Sequence, residues 1–368
     1  GFGPYEGPVP DVRASMIYTS GTTGKPKGVL RNPATPEFIV RRDQILREIW
    51  GLEAGVRAAL TGPIYHSAPN AYAMGVLVQQ GLLVLQPRFE AEPLLALIQE
   101  HRISHMHMVP TMFVRLLRLP ESVRARYDLS SLRLVIHGAA PCPPAVKRAM
   151  IEWWGPVIHE YYGSTELGML TTTNSREWLE RPGTVGRPTR YARVQVLDDQ
   201  GRPAPAGVPG LIYARNDGLT DFTYYGAPAK RRDMERDGLM TNGDIGYLDA
   251  DGYLYLCDRK IDMVISGGVN IYPAEIESVL VQMPGVQDCA VFGIPDEEYG
   301  EALLAVVQPA PHSHLDAAGV QDFLRPHLAH YKIPHRVEFA QNLPREDSGK
   351  IFKRKLREPY WAGRSLRI

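Results

Sequence analysis

The sequence predicts an α/β fold. A large N-terminal domain of layered α/β sheets carries a small β subdomain, and a smaller α+β domain follows it. Three observations lead there. The 368 residues exceed what one ordinary core accommodates. A composition of 44% hydrophobic and 22% charged residues is that of a folded chain and excludes extended disorder. Strand-like apolar runs also alternate with helix-like segments from Ala14 to about Ile158, which is the pattern of a sheet buried on both faces.

In chain order, the predicted strands of this first part are Ala14–Tyr18, Ala58–Tyr65, Leu82–Leu85, His105–Val109, Leu132–Ile136 and Val157–Tyr161. Between them the pattern predicts helices at Pro36–Trp50, Pro93–His101, Met112–Leu119 and Pro144–Trp154. Several of these helices carry proline near the first turn, where its missing N–H costs nothing. From about Thr184 to Arg259 the texture changes to short strands at Arg193–Leu197, Leu211–Ala214, Tyr247–Leu248 and Tyr253–Cys257. Asp249-Ala-Asp-Gly252 is a hairpin signal between the last two. The remainder reads as a strand pair in Ile261–Ile271, helix Pro273–Gln282, strands at Asp288–Val291 and Leu303–Gln308, helix Ala317–His330, strand Arg336–Phe339 and a helix near Phe352–Arg357. The expected units are therefore residues 1–183, the β subdomain 184–260, and 261–368.

Lysine plus arginine (41) equals aspartate plus glutamate (41), so no net field draws in nucleic acid or an anionic membrane. Cys142, Cys257 and Cys289 form neither a CxxC pair nor a disulfide framework, which fits a reducing compartment. The most apolar stretch, Ala71–Leu85, is interrupted by Gln79 and Gln80 and is too short to span a bilayer. A cytoplasmic protein without integral membrane segments is the expectation; oligomeric state is not legible.

Five segments carry chemistry. Tyr18-Thr-Ser-Gly-Thr-Thr-Gly-Lys-Pro-Lys-Gly28 gathers three glycines, four hydroxyl residues (Thr19, Ser20, Thr22, Thr23) and two lysines directly after an apolar strand. Glycine lets backbone N–H groups converge on an anion, hydroxyls add donors and lysines add charge, so the segment reads as a phosphate-gripping loop. It is not a Walker A loop, because only two residues separate Gly21 from Gly24-Lys25 and Pro26 replaces the serine or threonine. The second segment, Glu160-Tyr-Tyr-Gly-Ser-Thr-Glu166, clusters aromatic, hydroxyl and carboxylate groups at a strand end, where open α/β sheets bind ligands. The others are Thr241-Asn-Gly-Asp244 with Leu256-Cys-Asp-Arg-Lys260, the glycine turn Ile265-Ser-Gly-Gly-Val-Asn-Ile-Tyr-Pro-Ala-Glu-Ile-Glu277, and Pro344-Arg-Glu-Asp-Ser-Gly-Lys350.

Together and in this order the five resemble the adenylate-forming superfamily over about Ala14 to Leu356, with Ser266-Gly-Gly-Val-Asn-Ile-Tyr-Pro most similar to acyl-CoA ligases. The resemblance implies an ATP-dependent acyl- or aryl-CoA ligase that forms an acyl-AMP with release of pyrophosphate and then passes the acyl group to coenzyme A. It also implies a mobile C-terminal domain. Thr19, Ser20, Gly21, Thr22, Thr23, Gly24, Lys25 and Lys27 would then hold the ATP phosphates. Gly138, Ala139 and Ala140 would line the adenine, with Tyr161, Tyr162 and Gly163 beside it and Tyr162 stacking. Thr165 would contact the α-phosphate, Glu166 would hold Mg²⁺, and Asp244 with Arg259 would serve the ribose. Gly267 and Gly268 count among the nucleotide-binding positions, His66 falls near the acyl pocket and the thiol path, and Lys350 would bridge the substrate carboxylate and the α-phosphate.

Several positions depart from the family pattern. Ile261 stands where the hinge is usually Asp or Lys, and Leu211-Ile-Tyr-Ala-Arg-Asn216 lacks the glycine that usually follows its arginine. Only thirteen residues precede Ala14, where relatives carry a substantial leading segment, so the expectation is a fragment with one side of its sheets uncovered. His101, His105 and His107 read as packed or surface histidines on a half-buried strand, Cys142 as inert, and Lys353-Arg-Lys355 as a solvated helix face. His66, Asn70, Met74, Val109, Thr111 and His137 are the candidate acid-lining residues, a mixed apolar set without a cation that suggests a monocarboxylic acid of unspecified length and aromaticity. The alternatives are an inactive nucleotide-binding remnant and an adenylating enzyme with an acceptor other than coenzyme A.

Overall fold

A computed structural model describes residues 16–19, 27–345 and 351–362. Strands β1 (Ile17–Thr19) and β2 (Lys27–Arg31) pair antiparallel, with Thr19 opposite Lys27. Helix α1 (Pro36–Trp50) has the predicted bounds for local reasons. The Thr35 hydroxyl accepts from the Phe38 amide at 3.3 Å, proline opens the first turn, and Gly51 leaves the helix at φ 61°. The chain then runs through β3 (Arg57–Leu60), α2 (Ser67–Val78), β4 (Leu82–Leu85), α3 (Ala91–His101) and β5 (His105–Met108). It continues through α4 (Pro110–Leu117), α5 (Glu121–Arg124), β6 (Leu134–His137), α6 (Pro144–Trp154) and β7 (Ile158–Ser164).

These strands lie parallel in the order β4-β3-β5-β6-β7. The chain leaves β3 toward one side and returns on the other, so the strand order reverses there and a crevice opens at the strands' carboxyl ends. Apolar layers cover both faces. Leu94, Ile98, Met106, Phe113 and Trp178 build one, and Trp50, Leu52, Tyr72, Ile136 and Tyr161 build the other. His105 and His107 are consequently buried along with Met106 and Met108, where alternation had suggested a half-buried strand; a central parallel strand has no solvent face. Helix α2 was not foreseen. It is apolar nearly all round, so it shows no helical stripe to read. Its outer residues Met74, Leu77 and Val78, with Leu82 and Leu85 on edge strand β4, form an exposed apolar face.

Strands β8 (Gly168–Thr173) and β9 (Thr184–Pro188), separated by α7 (Ser175–Glu180), continue the sheet antiparallel. They are followed by β10 (Ala192–Leu197), β11 (Gly210–Asn216), β12 (Phe222–Tyr224) and α8 (Pro228–Asp233), then β13 (Glu235–Arg236), β14 (Leu239–Met240), β15 (Asp244–Leu248) and β16 (Leu254–Arg259). The strands of the expected β subdomain extend the parallel sheet through β9–β16 pairing into a 13-stranded whole. Strand β12 instead joins β2, making a small sheet with the β1–β2 hairpin.

A five-stranded sheet follows, built from β17 (Val264–Ser266), β18 (Val269–Ile271), β19 (Val286–Asp296), β20 (Gly300–Pro309) and β21 (Arg336–Phe339). Helices α9 (Pro273–Leu280) and α10 (Ala317–Leu324) pack on it through Ile276, Leu280, Val320 and Leu324, and α11 (Lys353–Trp361) lies against β19. Helix α10 stops at Leu324, short of the predicted His330, because Pro326 cannot donate the next helical hydrogen bond. Lys353 corrects the expected solvated face of α11. Its Nζ lies 2.8 Å from Glu277 Oε1 on α9, and both side chains are largely buried. Among the described residues no helix is long and apolar enough to cross a membrane.

Candidate active site

The carboxyl ends of β6 and β7 bring the second motif beside Gly138 and Ala139. A Cβ on Gly138 would lie 2.6 Å from the Tyr161 ring, so only glycine lets the β6 exit pass this close to β7. Ala139 turns the chain at φ 67°, a left-handed conformation that is rare for a residue with a side chain. Tyr161 and Tyr162 then separate by strand alternation. Tyr161 points into the core, where its hydroxyl meets His107 Nε2 at 3.0 Å, and this corrects its assignment as a nucleotide contact. Tyr162 points the other way and donates to Asp244 Oδ2 at 2.7 Å. Burial, reinforced by the Asp244 carboxylate, raises the Tyr162 phenol well above its ordinary range.

Asp244 and Arg259 face each other across β15 and β16, with Arg259 Nε 3.3 Å from Asp244 Oδ1. Tyr162, Asp244 and Arg259 thus form one wall, an aromatic face running into a carboxylate that can accept from vicinal hydroxyls. Gly163 completes the strand end at a bulge, where a Cβ would overlap the Gly168 carbonyl.

The other end of the site is built around Glu166. Its Oε1 accepts from the Tyr224 hydroxyl at 2.8 Å. Lys27 Nζ stands 5.4 Å from the centre of the Tyr224 ring. Burial, then repulsion from Lys230, lowers the Lys27 ammonium, while Glu166 opposes the shift. Arg31 ties the loop down from below, donating to the Thr165 and Glu166 carbonyls at 2.7 and 2.9 Å and to the Thr220 carbonyl at 2.8 Å. Thr165 Oγ1 and Ser67 Oγ are 2.9 Å apart, which links this loop to the first residue of α2. His66 is the residue preceding that helix, its ring 4.6 Å from Tyr65. Among the described residues no group of three or more His, Cys, Asp or Glu side chains could hold a metal ion. A lone Glu166 carboxylate beside cations fits a magnesium ion that takes its other oxygens from phosphate and water.

Ser20, Gly21, Thr22, Thr23, Gly24, Lys25 and Lys350 lie outside the described residues. Thr19 and Lys27, which frame the predicted loop, are paired across the hairpin. Gly267 and Gly268 make the two-residue turn between β17 and β18, both at positive φ, a requirement that accounts for them without a ligand. His137 is fully buried between Phe113 and Glu160 and does not line an open acid pocket. Sequence reasoning missed Arg31, Ser67, Tyr224 and Lys230. Ser67 follows His66 directly and Arg31 stands three residues past the Tyr18–Gly28 motif, whereas Tyr224 and Lys230 reach the site only because β12 pairs with β2.

The family model for AMP-binding enzymes matches residues 3–224, and that for the AMP-binding enzyme C-terminal domain matches 275–350. A feruloyl-CoA synthase of Amycolatopsis sp. is 34% identical over 353 residues, 94% of this chain and 69% of that protein. A long-chain-fatty-acid–CoA ligase of Mycobacterium tuberculosis is 35% identical over 347 residues, 94% of this chain and 67% of that protein. Among solved structures, o-succinylbenzoate CoA synthetase from Bacillus subtilis in complex with its acyl-adenylate intermediate superposes with TM-score 0.82 at 30% identity. The match covers 94% of this chain and 69% of that one. The amide bond synthetase of Marinactinospora thermotolerans superposes with TM-score 0.81 at 29% identity, covering 93% of this chain and 68% of that one.

Proposed function

We propose, from the premise that this chain belongs to the AMP-binding enzyme family, that it is an ATP-dependent acyl- or aryl-CoA ligase. One observation carries the reading. The end of β7 carries Tyr162 against Asp244 and Arg259 and runs on through Thr165 to Glu166, which Lys27 faces across Tyr224, the arrangement a nucleoside polyphosphate needs. The purine stacks on Tyr162 beside Gly138, Ala139 and Ala140. Asp244 accepts from the ribose hydroxyls, and Arg259, 3.3 Å away, orients that carboxylate. Lys27 and the loop of residues 19–25 take the β- and γ-phosphates.

Glu166 holds Mg²⁺, which when bound offsets the negative charge of the phosphates. The substrate carboxylate is already a nucleophile, so this chain contributes position and charge and needs no general base. Thr165 donates to the α-phosphate. Lys350 bridges that phosphate and the incoming carboxylate as the acyl-AMP forms. Residues 261–368 then reorient as a unit, and His66 lies where the coenzyme A thiol approaches. The thiol sulfur bonds the acyl carbon, the C–O bond to phosphate breaks, AMP leaves with that electron pair, and the thiol proton goes to solvent. In this reading 1–183 and 184–260 form the nucleotide-binding part, and the acid is a monocarboxylate. An acceptor other than coenzyme A is the alternative, and the likeness to coenzyme A ligases does not favour it.

The test is formation of AMP and pyrophosphate from ATP with a panel of aliphatic and aromatic acids, with and without coenzyme A. Acid-dependent pyrophosphate together with thioester is expected. Nucleotide binding without turnover of any acid overturns the ligase reading, and adenylation without thioester redirects it to another acceptor.

A further inference from the structure

Behind the Gly138–Ala139 turn lies a buried ion pair that the proposed chemistry does not use. Lys147, in the first turn of α6, is fully buried, and its Nζ reaches Glu160 Oε2 on β7 at 2.6 Å. The ammonium also stands 4.9 Å from the centre of the Trp178 ring. His137, the last residue of β6, closes the group with Nε2 3.8 Å from the same Glu160 oxygen. Neither ring nitrogen of this fully buried histidine has a hydrogen-bond partner. Removing two ions from water is expensive, and apolar residues of similar volume often serve stability better. Stability alone therefore does not explain a lysine here.

Its position does. The segment 138–143 leaves β6 and enters α6, and the pair anchors the far end of that segment to β7. The near end is already fixed, because Gly138 sits against the Tyr161 ring. Glu160 is also two residues before Tyr162, on the same face of the strand, so one anchor sets both the loop and the ring opposite it. The left-handed Ala139 at the tip is a strained conformation that persists only when its surroundings over-determine it. We propose that the buried Lys147–Glu160 pair, backed by His137, is a clamp that positions the purine-binding turn Gly138–Ala140 against Tyr162. Lys147 and Glu160 are positioning residues acting through the turn.

This rests on the nucleotide site of the proposed function but not on the acid or the acceptor. The probe is therefore AMP itself, by calorimetric titration, with AMP and GMP compared. Lys147→Met alone leaves Glu160 buried and unpaired, and a lower melting temperature is expected. The double variant Lys147→Met/Glu160→Leu replaces the pair by apolar volume and is expected to melt close to the parent. If the pair is a clamp, the double variant still binds AMP on the order of tenfold more weakly and prefers AMP over GMP less. Lys147→Arg, which keeps the charge pair, is expected to recover part of the loss. A double variant that folds and binds AMP with the parent's affinity and selectivity overturns the clamp. A parent that binds AMP but turns over no acid overturns the ligase reading and leaves the clamp standing; a parent that binds no AMP overturns both.

Discussion

Glu166 accepts the Tyr224 hydroxyl on one side and meets the field of Lys27 on the other, so its carboxylate is held in place before any ligand arrives. On the proposed role of Glu166, its removal would take an oxygen ligand from the metal, and Glu166→Ala is expected to lose most acid-dependent exchange of pyrophosphate into ATP. The loss expected is about 10²-fold or more at any magnesium concentration. Exchange at the parent rate in this variant would refute the metal assignment. The sequence proposes this chemistry through short motifs whose residue types suit a ligand: lysines and glycines for phosphate, a carboxylate for a metal. Orientation was not legible. Tyr161 and Tyr162 look alike in the chain, and only the burial of the β7 face sends one to His107 and the other to Asp244. Tyr224 was invisible for another reason, since its role depends on a pairing between β12 and β2 about 190 residues apart.

At the scale of elements, helices with their own start and stop signals were read to the residue. Those are α1, with Thr35, Pro36 and Gly51, and α6, with its prolines and Gly155. Elements defined by partners, such as α2 and the short strands β8, β9 and β12, were missed. The turn after β6 shows how local the constraint is. Gly138→Ala is expected to destabilise by about 1–3 kcal/mol, because its Cβ has no room against the Tyr161 ring. Ala139→Gly is expected to be neutral or stabilising by up to about 1 kcal/mol, since glycine accepts φ 67° without penalty. The urea midpoint should therefore fall in Gly138→Ala and stay or rise in Ala139→Gly, and equal losses would refute the strain argument. The junction of α9 and α11 makes a pH prediction. Burial pushes the Glu277 carboxyl up from 4.5 to about 7, against the pull of Lys353. The folded state therefore binds the proton that the unfolded chain has released, and this contribution is lost as pH rises from about 4.5 through 7, by at most about 1.4 kcal/mol per pH unit. The Lys353 ammonium is shifted up and stays charged throughout that window. In Glu277→Gln the fall in stability across this range should be shallower, as read from urea midpoints at successive pH values; an identical slope would exclude Glu277 as its source.

At the scale of the whole molecule, the 13-stranded sheet ends with β16 at Arg259, and the five-stranded sheet begins with β17 at Val264. The short stretch between them is held from both sides. The Asp258 carboxylate accepts from the Ala274 amide at the start of α9, and Arg357 on α11 donates to the Ile261 carbonyl at 2.8 Å. Ile261 has no polar side chain to make the contact expected of a hinge, so its carbonyl makes one instead, and the linker is tied to the smaller unit. In the proposed reorientation the smaller unit would carry its linker with it, and Lys350 belongs to that part of the chain. An ordinary loop lysine would change stability by less than about 0.5 kcal/mol on removal and affect neither half-reaction. A lysine that neutralises charge as the carboxylate meets the α-phosphate has a different signature, because it is needed only while the smaller unit is docked for adenylation. Lys350→Ala is therefore expected to lower acyl-AMP formation by about 10²–10³-fold. Supplied acyl-AMP and coenzyme A should still give thioester at close to the parent rate. Normal adenylation in this variant would remove Lys350 from the mechanism. Equal loss in both half-reactions would mean that the lysine stays in place through both, and the smaller unit would then act as a fixed wall of the site.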